Sequence, residues 1–139
     1  MEKIIADISK LPNGEKKIFK QYKNLNFEIN IKWNRKKIYF SIKYYRFSFE
    51  LADFRITRDP FMSFIARYPN YSLYGKSSKT SNKVLSNKYA IKLLEYKNPE
   101  IKFDKGNFSF KCRLKRRNLN ELETITLYFK KLSDDVFNS

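Results

Sequence analysis

Glu100-Ile101-Lys102 has the carboxylate–x–Lys spacing with which metal-dependent nucleases hold Mg²⁺ and orient a water, and Asp53 or Asp59 would serve as a second ligand. The same spacing recurs at Glu15-Lys16-Lys17 and Glu95-Tyr96-Lys97, which is what chance produces in a chain so rich in lysine. Gly75-Lys76-Ser77 matches the end of a phosphate-binding loop. That motif also needs a Gly five residues earlier, where Asn70 stands, and an apolar strand leading into it. A polar loop is the plainer reading, and an NTPase is rejected. Histidine is absent, which removes the commonest general base and zinc ligand, and Cys112 is the lone cysteine. Zinc fingers, zinc deaminases and Ser-His-Asp hydrolysis are excluded with them. An enzyme would be left with carboxylate–metal chemistry, or with metal-free RNA cleavage by Arg, Lys, Tyr and Glu.

The abundant chemistry is cationic. Thirty Lys and Arg against 14 Asp and Glu leave a net charge of +16, a self-repulsion that a polyanionic partner would relieve. Abundant Lys, Asn, Ile, Phe and Tyr is also what an AT-rich coding sequence yields, so placement has to decide. From Phe108 the chain alternates, with Phe108, Phe110, Cys112 and Leu114 on one parity and Lys111, Arg113, Lys115 and Arg117 on the other. Asn118-Leu119-Asn120 reads as a turn. A second alternation follows, Ile125, Leu127 and Phe129 against Thr124, Thr126, Tyr128 and Lys130. The pattern predicts a β-hairpin with one apolar face and one basic face, the latter suited to a phosphate backbone. Arg35 and Lys36, with Lys37, form a second basic cluster at a predicted hairpin tip. Tyr68, Tyr71 and Tyr74 form a ladder bordered by Lys76 and Lys79. Exposed rings there would stack on unpaired bases while the lysines hold phosphates.

The elements that must position these groups follow from the remaining patterns. A chain of 139 residues with 42% apolar and 17% aromatic residues is predicted to fold as one domain over residues 1–139. Ile4, Ile5 and Ile8 have helical spacing, as do Ile18, Phe19 and Tyr22, with Pro12-Asn13-Gly14 as a turn between them; each segment is short for a helix, and either fits a strand as well. Asn26 to Trp33 alternates as a strand, and Asn34-Arg35-Lys36 turns it into Lys37 to Leu51. That run changes phase at Tyr44-Tyr45, as a bent strand or two strands would. A short strand around Phe54 and Ile56 precedes a helix from Asp59 to Tyr68. Residues 68–80 read as a flexible loop. A longer helix is predicted from Ser81 or Asn82 to Tyr96, stopped by Pro99, and then a strand from Glu100 to Phe103. Asp104-Lys105-Gly106-Asn107 turns that strand into the basic hairpin, and 134–139 reads as a frayed tail. The fold class is α+β: a curled, mostly antiparallel β-sheet, partly open and barrel-like, with one short and one longer helix inserted before the last three strands.

These readings converge on a non-enzymatic nucleic-acid-binding protein that contacts the phosphate backbone through a basic hairpin face with aromatic support. The alternatives are a small inhibitor or adaptor, of the kind phages and mobile elements encode, that binds a nucleic-acid-processing protein, and a small nuclease. No cofactor or metal is expected. No apolar run approaches the roughly 20 residues that span a membrane, and residues 1–10 lack a signal peptide's apolar stretch. A lone cysteine, placed on the apolar parity, fits a core position and a reducing cytoplasm.

Overall fold

Alternating side chains make strands, and their pairing then stacks like with like. β1 (Gly14–Tyr22), β2 (Leu25–Trp33) and β3 (Lys37–Tyr44) form an antiparallel meander. β4 (Phe54–Asp59) pairs with β5 (Asn70–Gly75), and β6 (Lys97–Asp104) forms a hairpin with β7 (Asn107–Lys115). β7 lies against β3 and β6 against β4, so one sheet runs β1-β2-β3-β7-β6-β4-β5 with every neighbour antiparallel. The protein is α+β, and its sheet is not closed into a barrel. The structure, a computed structural model, describes residues 2–22, 25–45, 53–59, 70–75 and 79–137.

Two turns fix the hairpins. Asn34 Oδ1 accepts the backbone N–H groups of Lys36 and Lys37 at 2.9 and 2.8 Å, which closes β2 into β3. Lys105 and Gly106 both take positive φ, 50° and 84°, the two-residue turn whose twist matches that of the strands it joins.

Directly paired residues in antiparallel strands point to the same side, so register sorts side chains into rows across the sheet. One row on the covered face is Phe27, Tyr44, Phe108, Phe103 and Phe54. The next is Ile29, Ile42, Phe110, Ile101 and Ile56, and all ten side chains are buried. Trp33, Ile38 and Leu114 make a further buried row, and the Trp33 Nε1–H donates to Leu11 O at 3.1 Å.

Four α-helices among the described residues add their apolar side chains to this core: α1 (Glu2–Lys10), α2 (Lys79–Ser86), α3 (Lys88–Leu93) and α4 (Glu121–Phe137). Ile4 and Ile8 of α1 are buried in it, and Arg116 holds the C-terminal end of that helix. Its guanidinium donates to the carbonyls of Ile8, of Leu11 at 2.6 Å and of Pro12 at 3.1 Å, a cation placed where a helix leaves unsatisfied carbonyl oxygens. Asn87 breaks what sequence spacing predicts as one long helix. Its Oδ1 accepts from Tyr89 N at 2.9 Å and from Ala90 N at 3.4 Å, capping α3. Pro99 does not stop the helix, which ends at Leu93, but lies inside β6, where one extra residue between Lys97 and Glu100 makes a bulge and Asn98 takes φ 49°.

The largest departure from the sequence reading is α4. Residues 124–130, predicted as the second strand of the basic hairpin, are helical. The buried set is Leu122, Ile125, Phe129, Leu132 and Val136, at helical spacing, while Leu127 is 49% exposed. Thr126 and Ser133 are also buried, and each hydroxyl donates to the carbonyl four residues earlier, at 2.8 Å. Phe129 stacks on Phe108 at 5.0 Å and on Tyr44 at 5.4 Å between ring centroids, which docks the helix on the aromatic row. The helix therefore follows two final strands rather than a third. It also extends through Asp134 to Phe137, where a frayed tail was predicted. Within the predicted 68–80 loop, 70–75 is strand β5 and Lys79 opens α2. The predicted 59–68 helix lies outside the described residues except for Asp59, which ends β4, and so does the run from Phe47 to Leu51.

Candidate functional site

The opposite face of the sheet carries no described helix and gathers side chains from every strand. Its first row is Phe19, Glu28, Lys43, Ser109, Lys102, Arg55 and Tyr74, one residue from each of the seven strands. The second is Lys17, Asn30, Ser41, Lys111, Glu100, Thr57 and Ser72. The third is Glu15, Lys32, Tyr39, Arg113 and Lys97, and Lys37 stands opposite Lys115 beyond it. Every strand from β1 to β4 in sheet order places at least one Lys or Arg on this face, alongside Glu15, Glu28 and Glu100, while the edge strand β5 adds Tyr74 and Ser72.

Several of its acids are already engaged. Glu100 lies between two cations, 3.8 Å from Arg55 Nη1 and 3.7 Å from Lys111 Nζ. Asp104 is 3.8 Å from Lys102 Nζ. The Tyr45 hydroxyl donates to Glu28 Oε2, and that bond, with burial, raises the Tyr45 pKa. Among the described residues Lys32, Lys43, Arg113 and Lys115 make no ion pair. Three pairs of like charge stand directly opposite one another: Lys37 with Lys115, Lys97 with Arg113, and Lys102 with Arg55. Direct cross-strand pairing of like charges is destabilising.

Two adjoining cavities run along this face. One, of about 370 Å³, is lined by Asn30, Lys32, Tyr39, Asn98, Lys111 and Arg113 among others. The other, of about 270 Å³, includes Lys43, Lys102 and Ser109, and both reach Ser41 and Lys111.

The structure distributes the sequence-predicted residues as follows. Lys111, Arg113 and Lys115 project from one face of β7, with Phe108, Phe110, Cys112 and Leu114 buried behind them. Arg117 does not join them, because the strand ends at Lys115 and Arg117 lies exposed in the 3₁₀ turn of residues 116–118. Tyr128 and Lys130 belong to α4 on the covered side. Tyr128 packs at 6.0 Å from the Tyr89 ring, and Lys130 Nζ sits 5.2 Å from the Phe27 ring. Burial, and then Lys20, lower the Lys130 pKa. Tyr74 is on the open face, with the Arg55 guanidinium 4.5 Å from its ring centroid. Tyr71, of opposite parity on β5, is half-buried toward the core side, and burial raises its pKa first of all. Lys79 is exposed at the start of α2, and Arg35 and Lys36 form the exposed β2–β3 tip. Lys76 and Tyr68 lie outside the described residues.

Lys17, Lys32, Lys43, Arg55, Lys97 and Lys102 escaped the sequence reading as members of this surface. Their alternation was visible strand by strand, but pairing between distant strands is what unites them. The trial nuclease cluster does not assemble. Glu100 is held by Arg55 and Lys111, and Asp53 Oδ1 accepts the Lys105 N–H at 3.0 Å. Among the described residues no three His, Cys, Asp or Glu side chains group as metal ligands, and no helix is long and apolar enough to cross a membrane. Cys112 is buried, and burial pushes its thiol pKa up to about 12, unlike a nucleophile. Compared with known proteins, the chain matches no protein-family model, no curated protein and no solved structure.

Proposed function

We propose that this chain is a non-enzymatic nucleic-acid-binding protein whose contact surface is the open face of the sheet, centred on Lys111, Arg113 and Lys115 of β7. The observation that carries the reading is the two like-charge pairs Lys37–Lys115 and Lys97–Arg113, facing one another across neighbouring strands; in the third, Lys102–Arg55, each cation already has a carboxylate beside it. Such pairs work against the free protein, and a polyanion laid across them turns repulsion into attraction. Phosphates spaced along a polynucleotide match a surface whose cations recur from strand to strand. Electrostatics of this kind carries no base specificity, so the expected partner is the backbone itself. A single buried thiol suits a reducing cytoplasm, where such a partner is available.

The test is the Arg113→Ala/Lys115→Ala double variant, titrated against oligonucleotides at two salt concentrations. Neither side chain makes an ion pair among the described residues. The variant also removes one member from each of two like-charge pairs, so its thermal midpoint should equal or exceed that of the wild type. Affinity should fall, and the slope of log K against log salt should become shallower by about 1.4–1.8 for two lost phosphate contacts. An unchanged slope would remove β7 from the interface. A wild-type protein that binds no nucleic acid near physiological salt would overturn the proposal and leave a protein partner, such as a nucleic-acid-processing enzyme, as the reading to pursue.

A further inference from the structure

The geometry points to single-stranded rather than duplex nucleic acid as the occupant of the open face; this rests on the polyanion reading above and names its substrate class. Among the described residues the exposed large aromatics are Phe19, Tyr39 and Tyr74, 71%, 45% and 50% exposed, and register places all three on this one face. Phe19 and Tyr74 close the two ends of a single row on the two edge strands, with Lys43, Lys102 and Arg55 between them. Tyr39 stands on β3 between Lys32 and Arg113 and lines the larger cavity.

A duplex cannot use these rings. Seven strands at a spacing of about 4.8 Å make a surface roughly 29 Å wide, and the major groove is only about 12 Å across. Laid broadside, a duplex would offer this face its phosphates alone, since its base faces are already stacked. An exposed phenyl ring among lysines would then meet only sugar and phosphate. A single strand offers what each ring and each cation requires, π-faces beside phosphates, and charged grooves with spaced aromatics are how such strands are held without sequence preference. The Arg55 guanidinium lies over the Tyr74 ring, 4.5 Å from its centroid, so a cation and an exposed ring are already side by side at this end of the row. A width of roughly 29 Å accommodates a segment within the ~4–16 nucleotides that small single-strand-binding folds cover.

The experiment measures fluorescence anisotropy of the full chain with a labelled 12-nucleotide pyrimidine strand, as DNA and as RNA, and with a 12-base-pair duplex. Each probe is titrated at two salt concentrations. The single strands should bind at least about tenfold more tightly than the duplex. Tyr39→Ala should weaken single-strand binding by roughly 5- to 150-fold, the range seen for losing one stacked base, while leaving the salt slope and duplex affinity unchanged. Phe19→Ala and Tyr74→Ala should act in the same direction. Because the three rings are exposed, each variant should keep the wild-type thermal midpoint, and that measurement separates lost stacking from lost fold. Duplex affinity equal to or above single-strand affinity, or single-strand affinity unmoved by all three truncations, overturns the inference while leaving a salt-steep polyanion binder standing. Absence of binding to every probe overturns both.

Discussion

Truncating two apolar residues of α4 separates the helix from the strand that the local alternation suggests. Leu127 and Phe129 share one parity, so in a strand both would face the core and both truncations would be costly. In the helix they diverge: Phe129 is fully buried against Phe108 and Tyr44, and Leu127 is about half exposed. Phe129→Ala leaves a ring-sized void and removes two stacked ring pairs at 5.0 and 5.4 Å. Buried Phe-to-Ala changes cost about 3–5 kcal/mol, and stacked pairs of this kind contribute about 0.5–1.5 kcal/mol each within such a total, so the upper half of the range is expected. With a urea m-value of about 2 kcal/mol per molar, the unfolding midpoint should fall by roughly 2 M. Leu127→Ala removes half-exposed surface and installs the best helix former, so it should stay within about 0.5–1 kcal/mol of the wild type. The assay is equilibrium urea unfolding followed by far-ultraviolet circular dichroism, with m compared across the three proteins. Equal losses for the two variants, or a larger loss at Leu127, would refute the docking of α4 on the aromatic row.

Two further outcomes follow from the same packing. Arg116→Ala should destabilise by about 1–3 kcal/mol, because one guanidinium serves three carbonyls at the end of α1, and Arg116→Lys should recover only part of the loss; matched thermal melts would show it. Cys112 should resist an aromatic disulfide reagent at pH 8 in the native protein and react on unfolding, since a rise from 9.0 to about 12 cuts its thiolate population by roughly 10³. The same shift has a definite sign in stability. The folded state keeps the thiol protonated, so its contribution is complete below about pH 9 and is lost as pH rises toward about 12. Alkaline unfolding curves for wild type and Cys112→Ala, which lacks the titrating group, should therefore converge or cross in that window, and parallel curves would count against the shift.

Legibility from sequence followed the range of the interaction. β2, β3 and β7 were readable because each alternates cleanly over several residues, and β6 only from Glu100 to Phe103, because the bulge at Asn98-Pro99 breaks its alternation; their turns carry Asn34 or Gly106. The basic parity of β7 and the burial of Cys112 and Trp33 came from that same local signal. α4 was misread because Ile125, Leu127 and Phe129 alternate within a five-residue window that both periods fit. The helical period shows only when Leu122, Leu132 and Val136 are included, with Asn120 and Glu123 suited to open a helix. β5 looked like a loop because an edge strand of Asn, Tyr, Ser and Gly needs little apolar pattern. The rows themselves were invisible. Nothing near Lys43 announces Ser109 as its neighbour, and nothing near Arg55 announces Lys102.

The place of β7 in the sheet has a consequence for how the chain reaches this structure. The meander of β1, β2 and β3 is complete by Tyr44, yet β3 finds its second neighbour only in residues 107–115. During synthesis from the N-terminus, the apolar side of that meander, from Phe27 to Phe40, waits for about sixty further residues before β7 begins to close its edge, and longer still, until Glu121–Phe137 is made, before α4 caps its aromatic row. The nascent chain is thus most open to edge-to-edge association just before Asn107 emerges, and Lys37 and Lys43, facing away from the unfilled core, are the charges that keep that edge in solution.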